Sequence, residues 1–280
     1  MSSLTVFTLA SGRSGTMSLY EMLRLNAPAC TVVHEPSIWD RRNPGMFGRP
    51  IYDCAVNNTG PIRKLLATKR RTIERMGSPL YVETSHAFLK SYWELAPEFF
   101  PNMKVLHLVR RPLEVARSEA NREAYMNKWH TPVRNYWGRD WRSYARWALT
   151  GLEPIFQAFA GKSLTLFQRY VIQWIEVENR AMAFLQRFKM SDRCLMLHTP
   201  GDLNDPQTVH RVLQFLGLDA PHAGPILPGV QNVSPGLPTI IGDTERDEFR
   251  AVIEHMPDEY LSIFRSAPYA GLPWIGLLHK

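Results

Sequence analysis

Cysteine is scarce: Cys30, Cys54 and Cys194 are the only three in 280 residues, and they lie far apart. They match no zinc-ligand spacing and no disulfide framework. The expectation is three reduced thiols in a cytoplasmic protein with no metal site. Long apolar runs are lacking too. No segment approaches the roughly 18 apolar residues that span a bilayer, which excludes a membrane-crossing helix. The N-terminus carries no basic region, and its short apolar stretch, residues 4–10, suits a core strand rather than a signal peptide. Internal repeats and low-complexity tracts are missing as well.

Apolar residues make up 45% of the chain, an ordinary globular share that can bury a sizeable core. One domain over residues 1–280 is the expectation. Lys and Arg outnumber Asp and Glu by seven, 33 against 26. That balance suits an anionic ligand, a nucleic acid or a membrane surface, and does not choose among them.

Five short runs, at 4–9, 31–34, 80–83, 104–109 and 193–198, are apolar on both faces and rich in β-branched residues. That is the pattern of strands buried in a parallel sheet. Helical patterns alternate with them at 15–26, 61–76, 112–128, 163–188 and 205–218. Pro112 suits a first helical position, Asp205 a cap followed by Pro206, and Gly217 a stop. A closing helix follows, with Asp243 as its cap. The alternation predicts an α/β fold: a doubly wound, mainly parallel sheet of about five strands flanked by helices. Two segments stand apart. Residues 125–147 hold four Trp and three Tyr among five Lys and Arg, and residues 219–242 are rich in Pro and Gly. Both are expected to be loops or lids over a site.

The chemistry gathers where the first strand meets the first helix, in "TLASGRSGTMSLYEML" at residues 8–23. In an open parallel sheet, ligands bind outside the carboxyl ends of the strands. Backbone N–H groups of Ser14, Gly15, Thr16, Met17 and Ser18 would converge there, and the helix dipole adds positive potential. Gly12 and Gly15 allow tight curvature, hydroxyls of Ser14, Thr16 and Ser18 add donors, and Arg13 adds a fork of positive charge. Such a turn cradles phosphate or sulfate. It lacks the lysine of the ATPase loop G-x-x-x-x-G-K-[ST], which weakens a kinase reading. A second strand, basic turn and helix follows in "VLHLVRRPLEVARS" at 105–118, where Arg110 ends the strand and Ser118 sits two helical turns on.

Together the two segments resemble the sulfotransferase family that uses 3′-phosphoadenosine 5′-phosphosulfate (PAPS). Its phosphosulfate loop, [KR]-S-G-[TS]-[TS], is matched by "RSGTM", with Met17 in place of the second hydroxyl. Its 3′-phosphate motif, R-x-P-x-[DE]-x-x-x-S, is matched by "RRPLEVARS" through Arg110 and Ser118. The resemblance extends over residues 4–218. It implies a P-loop-NTPase-like sheet, PAPS as donor, adenosine 3′,5′-bisphosphate as product, no metal, and Arg13 at the position of the family's catalytic cation. The family's Tyr-Glu-Asp-Leu after the late strand is replaced by "TPGDL", and "GVQNVSPG" at 229–236 is the candidate for its C-terminal basic loop.

Two residues contend for the base that takes the acceptor proton. Glu35, in "VVHEPS", falls 22 residues after Arg13, near the offset of the catalytic Glu in family branches acting on protein tyrosine and sugars. His86, in "YVETSHAF", falls 24 residues before Arg110, near the offset of the His in the cytosolic branch. Glu35 is the first choice and His86 the second, with His34, Glu83 or substrate-assisted transfer behind them. The reading is a sulfotransferase acting on a hydroxyl or amine of a small-molecule acceptor, with neither nucleic acid nor membrane as partner. Its alternatives are an ATP- and Mg²⁺-dependent phosphotransferase and a non-catalytic nucleotide-binding module. The sequence does not fix the acceptor or the oligomeric state.

Overall fold

The computed structural model describes residues 4–131, 133–219, 221–222, 224–229 and 240–279. Seven strands are described: β1 (Leu4–Ala10), β2 (Thr31–Val33), β3 (Leu80–Glu83), β4 (Lys104–Val109), β5 (Asn135–Trp137), β6 (Ser143–Ala145) and β7 (Cys194–His198). Five of them form one sheet in the order β2–β3–β1–β4–β7, and every neighbouring pair is parallel. The other two, β5 and β6, pair antiparallel as a separate ribbon.

Among the described residues ten α-helices connect and cover these strands: α1 (Thr16–Asn26), α2 (Arg49–Ala55), α3 (Thr59–Met76), α4 (Phe88–Ser91), α5 (Ala96–Phe99), α6 (Pro112–Lys128), α7 (Leu166–Arg187), α8 (Pro206–Leu216), α9 (Asp243–His255) and α10 (Asp258–Leu261). The period-two pattern of β1 decides which layer each side chain joins. Val6 and Ala10 pack with Leu19, Met22 and Leu23 of α1 and with Val209, Val212 and Leu213 of α8. Phe7 and Leu9 point the other way, into Ile62, Leu66 and Ile73 of α3 and Val177, Ala181 and Phe184 of α7. Both faces are thus covered, as a parallel sheet requires. A further cluster joins α6, α7 and α9 around Trp174 and Phe249.

Local signals explain most boundaries. Asp205 caps α8, accepting from the N–H groups of Gln207 and Thr208, and Gly217 closes it in the left-handed conformation. Thr165 and Gln168 form a reciprocal capping box at α7. Three expectations need correction. The cap of α9 is Gly242 rather than Asp243, because the Glu245 carboxylate turns back to accept from the Gly242 N–H. That helix does not close the chain, since α10 and two 3-10 turns follow it. Residues 125–147 are not a loop throughout: they finish α6 and then form the ribbon, because Tyr136 and Tyr144 pair across it. Of the 219–242 segment, the described residues form neither strand nor helix. The candidate at 229–236 lies outside the described residues apart from Gly229.

Candidate functional site

The sheet order puts β1 beside β4, so the loop after β1 and the turn after β4 leave the same edge of the sheet as neighbours. This brings the two anion-seat segments together. One guanidinium nitrogen of Arg110 donates to the backbone oxygen of Arg13 at 3.1 Å. Arg13 Nε in turn donates to Ser118 Oγ at 2.8 Å, across 105 residues of sequence. Arg110 is also held by Glu114, one helical turn on, with Nε 3.1 Å from the carboxylate.

The loop has the features of an anion cradle. Gly15 occupies the left-handed region at φ 95°, and no side chain caps α1. The first turn of α1 contains no acidic residue, and the first N–H bonded back into the helix belongs to Leu19. By helix geometry the N–H groups of Thr16, Met17 and Ser18 therefore have no intrahelical acceptor. Ser14 is fully buried, with its hydroxyl 2.6 Å from that of Ser11 and its carbonyl accepting from Thr199 at 2.8 Å. Thr199 is the first residue of "TPGDL", so this segment supports the loop from beneath. The N–H row, Arg13, Arg110 and Ser118 form two adjoining seats, each with donors suited to an anion. To take such an anion, Arg110 has to share or release Glu114, whose side chain is 37% exposed.

Arg13 and Glu35 share an unusual backbone feature: both have positive φ, 62° and 41°. Non-glycine residues rarely hold this conformation unless the surroundings impose it, and such residues cluster at working sites. Glu35 lies beyond the end of β2. Its Oε1 is 3.3 Å from Nε2 of His86 and 3.9 Å from Nε2 of His34. Burial pushes the Glu35 carboxyl up to about 6, against the pull of Arg122, Lys90 and Arg13. His86 is 2% exposed, and its ring lies tilted against that of Phe47 with centroids 4.7 Å apart. Burial, with Lys90 and Arg122 adding to it, holds that imidazole well below its ordinary value, so it stays neutral. Neither ring nitrogen of His86 makes a hydrogen bond among the described residues. The two contenders are therefore adjacent, and they differ in exposure: a quarter of the Glu35 side chain reaches solvent. His34 is tied to Thr84 at 3.0 Å. Glu83 is spent elsewhere, in a buried ion pair with Lys69 at 2.6 Å.

Three site residues escape sequence reasoning. Arg122 lies one turn beyond Ser118 on the same face of α6, and its guanidinium covers the Trp147 ring at 4.5 Å. Lys90, on α4, is fully buried and donates to the Trp147 backbone oxygen at 2.7 Å. Burial pushes its ammonium down to about 8 despite the nearby Glu119. Glu119 follows Ser118 directly. Its carboxylate fills the space that a Cβ on Gly12 would occupy, and its Oε1 is buried without a hydrogen-bond partner among the described residues. Only the i,i+4 spacing of Ser118 and Arg122 could have signalled any of these.

No protein-family model matches the chain, and no curated protein matches it either. Among solved structures, the chain is similar to the sulfotransferase domain from the curacin biosynthetic pathway, with 15% identity, TM-score 0.48 and coverage of 83% of this chain and 79% of that one. It is similar to the sulfotransferase domain of the Synechococcus PCC 7002 olefin synthase, with 16% identity, TM-score 0.46 and coverage of 82% and 78%. It is also similar to a sulfotransferase from Alicyclobacillus acidocaldarius, with 15% identity, TM-score 0.46 and coverage of 95% and 100%.

Proposed function

We propose that the protein transfers a sulfuryl group from PAPS to a hydroxyl or amine of a small-molecule acceptor. The observation that carries this reading is the junction of the two anion seats through Arg110, Arg13 and Ser118. A donor with an anionic group at each end suits two seats that touch, whereas a single phosphate site would use one. PAPS supplies the activated sulfuryl group. The chain's own part is to bind, orient and manage one proton. The N–H row of residues 14–18 and the Arg13 guanidinium hold the phosphosulfate end, and Arg110 with Ser118 holds the 3′-phosphate end. Arg13, at the phosphosulfate end, would offset the charge that develops on the leaving phosphate. Glu35 takes the acceptor proton on its carboxylate, and its raised pKa places that base close to neutrality. Neutral His86 lies beside that carboxylate, its Nε2 3.3 Å from Oε1.

Calorimetry on the intact protein tests the reading. Adenosine 3′,5′-bisphosphate is expected to bind tightly without metal, and ATP weakly with or without Mg²⁺. Binding that demands ATP and Mg²⁺ would point instead to phosphotransfer on the same fold. Bisphosphate binding without sulfuryl transfer to any acceptor in a metabolite extract would point to a nucleotide-binding module. Arg110→Ala should weaken the bisphosphate by about 1.5–3 kcal/mol, the scale of a lost charged hydrogen bond.

A further inference from the structure

The ribbon of β5 and β6 carries more exposed aromatic surface than a lid needs. Tyr136 turns inward and is buried, 5.8 Å from Tyr144, which lies 5.4 Å from Tyr52 of α2. The next residue, Trp137, turns outward and is 60% exposed. At the tip, Trp141 is 84% exposed and held at φ 61°, a conformation that a bulky side chain rarely adopts. The tip is nevertheless well fixed. Gly138 N–H donates to the Arg142 carbonyl at 2.9 Å, and Asp140 accepts from Arg142 N–H and from the Tyr144 hydroxyl. The end of α6 adds Trp129, 63% exposed, with its ring 6.2 Å from that of Tyr125. Arg134 joins the two parts, donating to the carbonyls of Met126 and Asn127.

We infer that this ribbon and the adjoining end of α6 form a docking surface for an anionic lipid membrane. Indole rings favour the headgroup zone of a bilayer, where an apolar body and a polar N–H are both satisfied. Charge complementarity selects the kind of bilayer. Residues 125–147 contain five Lys and Arg and a single acid, Asp140, whose two oxygens are both engaged within the tip. The whole chain carries a net charge of +7. The balance of rings to cations argues against a soluble polyanion, which needs a row of cations along a groove. Here Arg139 is paired with Asp53 at 3.0 Å, and Arg146 is turned onto the carbonyls of Val133 and Asn135. That leaves Lys128 and Arg142 at the surface beside the indoles, a ratio suited to shallow insertion with phosphate contacts at the rim. The expectation of no membrane partner rested on the lack of a spanning segment. No helix among the described residues is long and apolar enough to cross a membrane, and peripheral docking needs none.

Co-sedimentation of the whole protein with vesicles tests this independently of the sulfuryl-transfer reading. The protein should pellet with vesicles of phosphatidylcholine containing about 30% phosphatidylserine and remain soluble with phosphatidylcholine alone. W137A/W141A should lower the partition about tenfold, and R142E should lower it too. The charge-matched control R70E, on the exposed face of α3, should leave it unchanged. Brominated lipid chains should quench wild-type tryptophan fluorescence more than that of the double variant. Thermal unfolding checks that every variant is folded. No pelleting with the anionic vesicles, or equal pelleting of W137A/W141A, overturns the proposal. So does retention on single-stranded DNA or a sulfated glycan without vesicle binding.

Discussion

At the scale of single residues, the site is built on groups held against their ordinary preferences. Arg13 and Glu35 sit at positive φ, Glu35 is buried enough to raise its pKa, and Lys90 is buried enough to lower its own. Glu35→Gln should cut turnover about 10²-fold or more while leaving bisphosphate affinity nearly intact, and the rise of wild-type activity with pH through about 6 should vanish. Stability should move oppositely. A carboxyl whose pKa is higher in the folded chain binds its proton more tightly there, so stability falls as pH climbs from 4.5 to above 6. Glu35→Gln should therefore match the wild type at pH 4 and exceed it at pH 8, by about 1–2 kcal/mol in urea unfolding. A variant that is fully active would move the proton to His86.

At the scale of elements, the junction of β1 with α1 depends on what is absent from it as much as on what is present. Gly12 has no Cβ because Glu119 of α6 fills that space. Gly12→Ala should drive the Glu119 carboxylate off the loop and disturb Arg13, weakening the bisphosphate in calorimetry with little loss of secondary structure by circular dichroism. The cap of α8 is the contrasting case. Asp205→Ala removes side-chain bonds to Gln207 and Thr208 and none to an anion-seat residue, so it should lower stability by about 1 kcal/mol and leave ligand affinity unchanged. The main sheet was legible because its strands are apolar runs and its helices carry the 3.6-residue period, some with caps of their own. The ribbon was not: it holds no apolar run, and its pairing exists only once Tyr136 meets Tyr144.

At the scale of the whole molecule, a buried network holds the Glu35 loop to the sheet. Lys69 of α3 donates to Glu83 at 2.6 Å and to Asn43 at 2.8 Å, and Tyr81 donates to the same Glu83 oxygen. Asn43 belongs to the segment between β2 and α2 that also holds Glu35. Breaking a buried pair strands a charge in the interior. Lys69→Met should therefore cost about 3–5 kcal/mol in urea unfolding, and Lys69→Met with Glu83→Gln should recover most of it. If the double variant recovers nothing, packing of the lysine stem rather than the stranded charge sets the cost.

The sequence alone determined the alternation of strand and helix, the glycine-bearing turn after the first strand, and the basic turn and helix that follow the fourth. Each of these is a local property, written in periods, caps and spacings of a few residues. The tertiary structure alone decided that Arg13 meets Arg110 and Ser118, that Glu35 lies against His86, and that Arg122, Lys90, Glu119 and Trp147 join them. The order of strands in the sheet sets those meetings. It brings residues tens to over a hundred positions apart to one edge, and no spacing along the chain encodes which strand lies beside which.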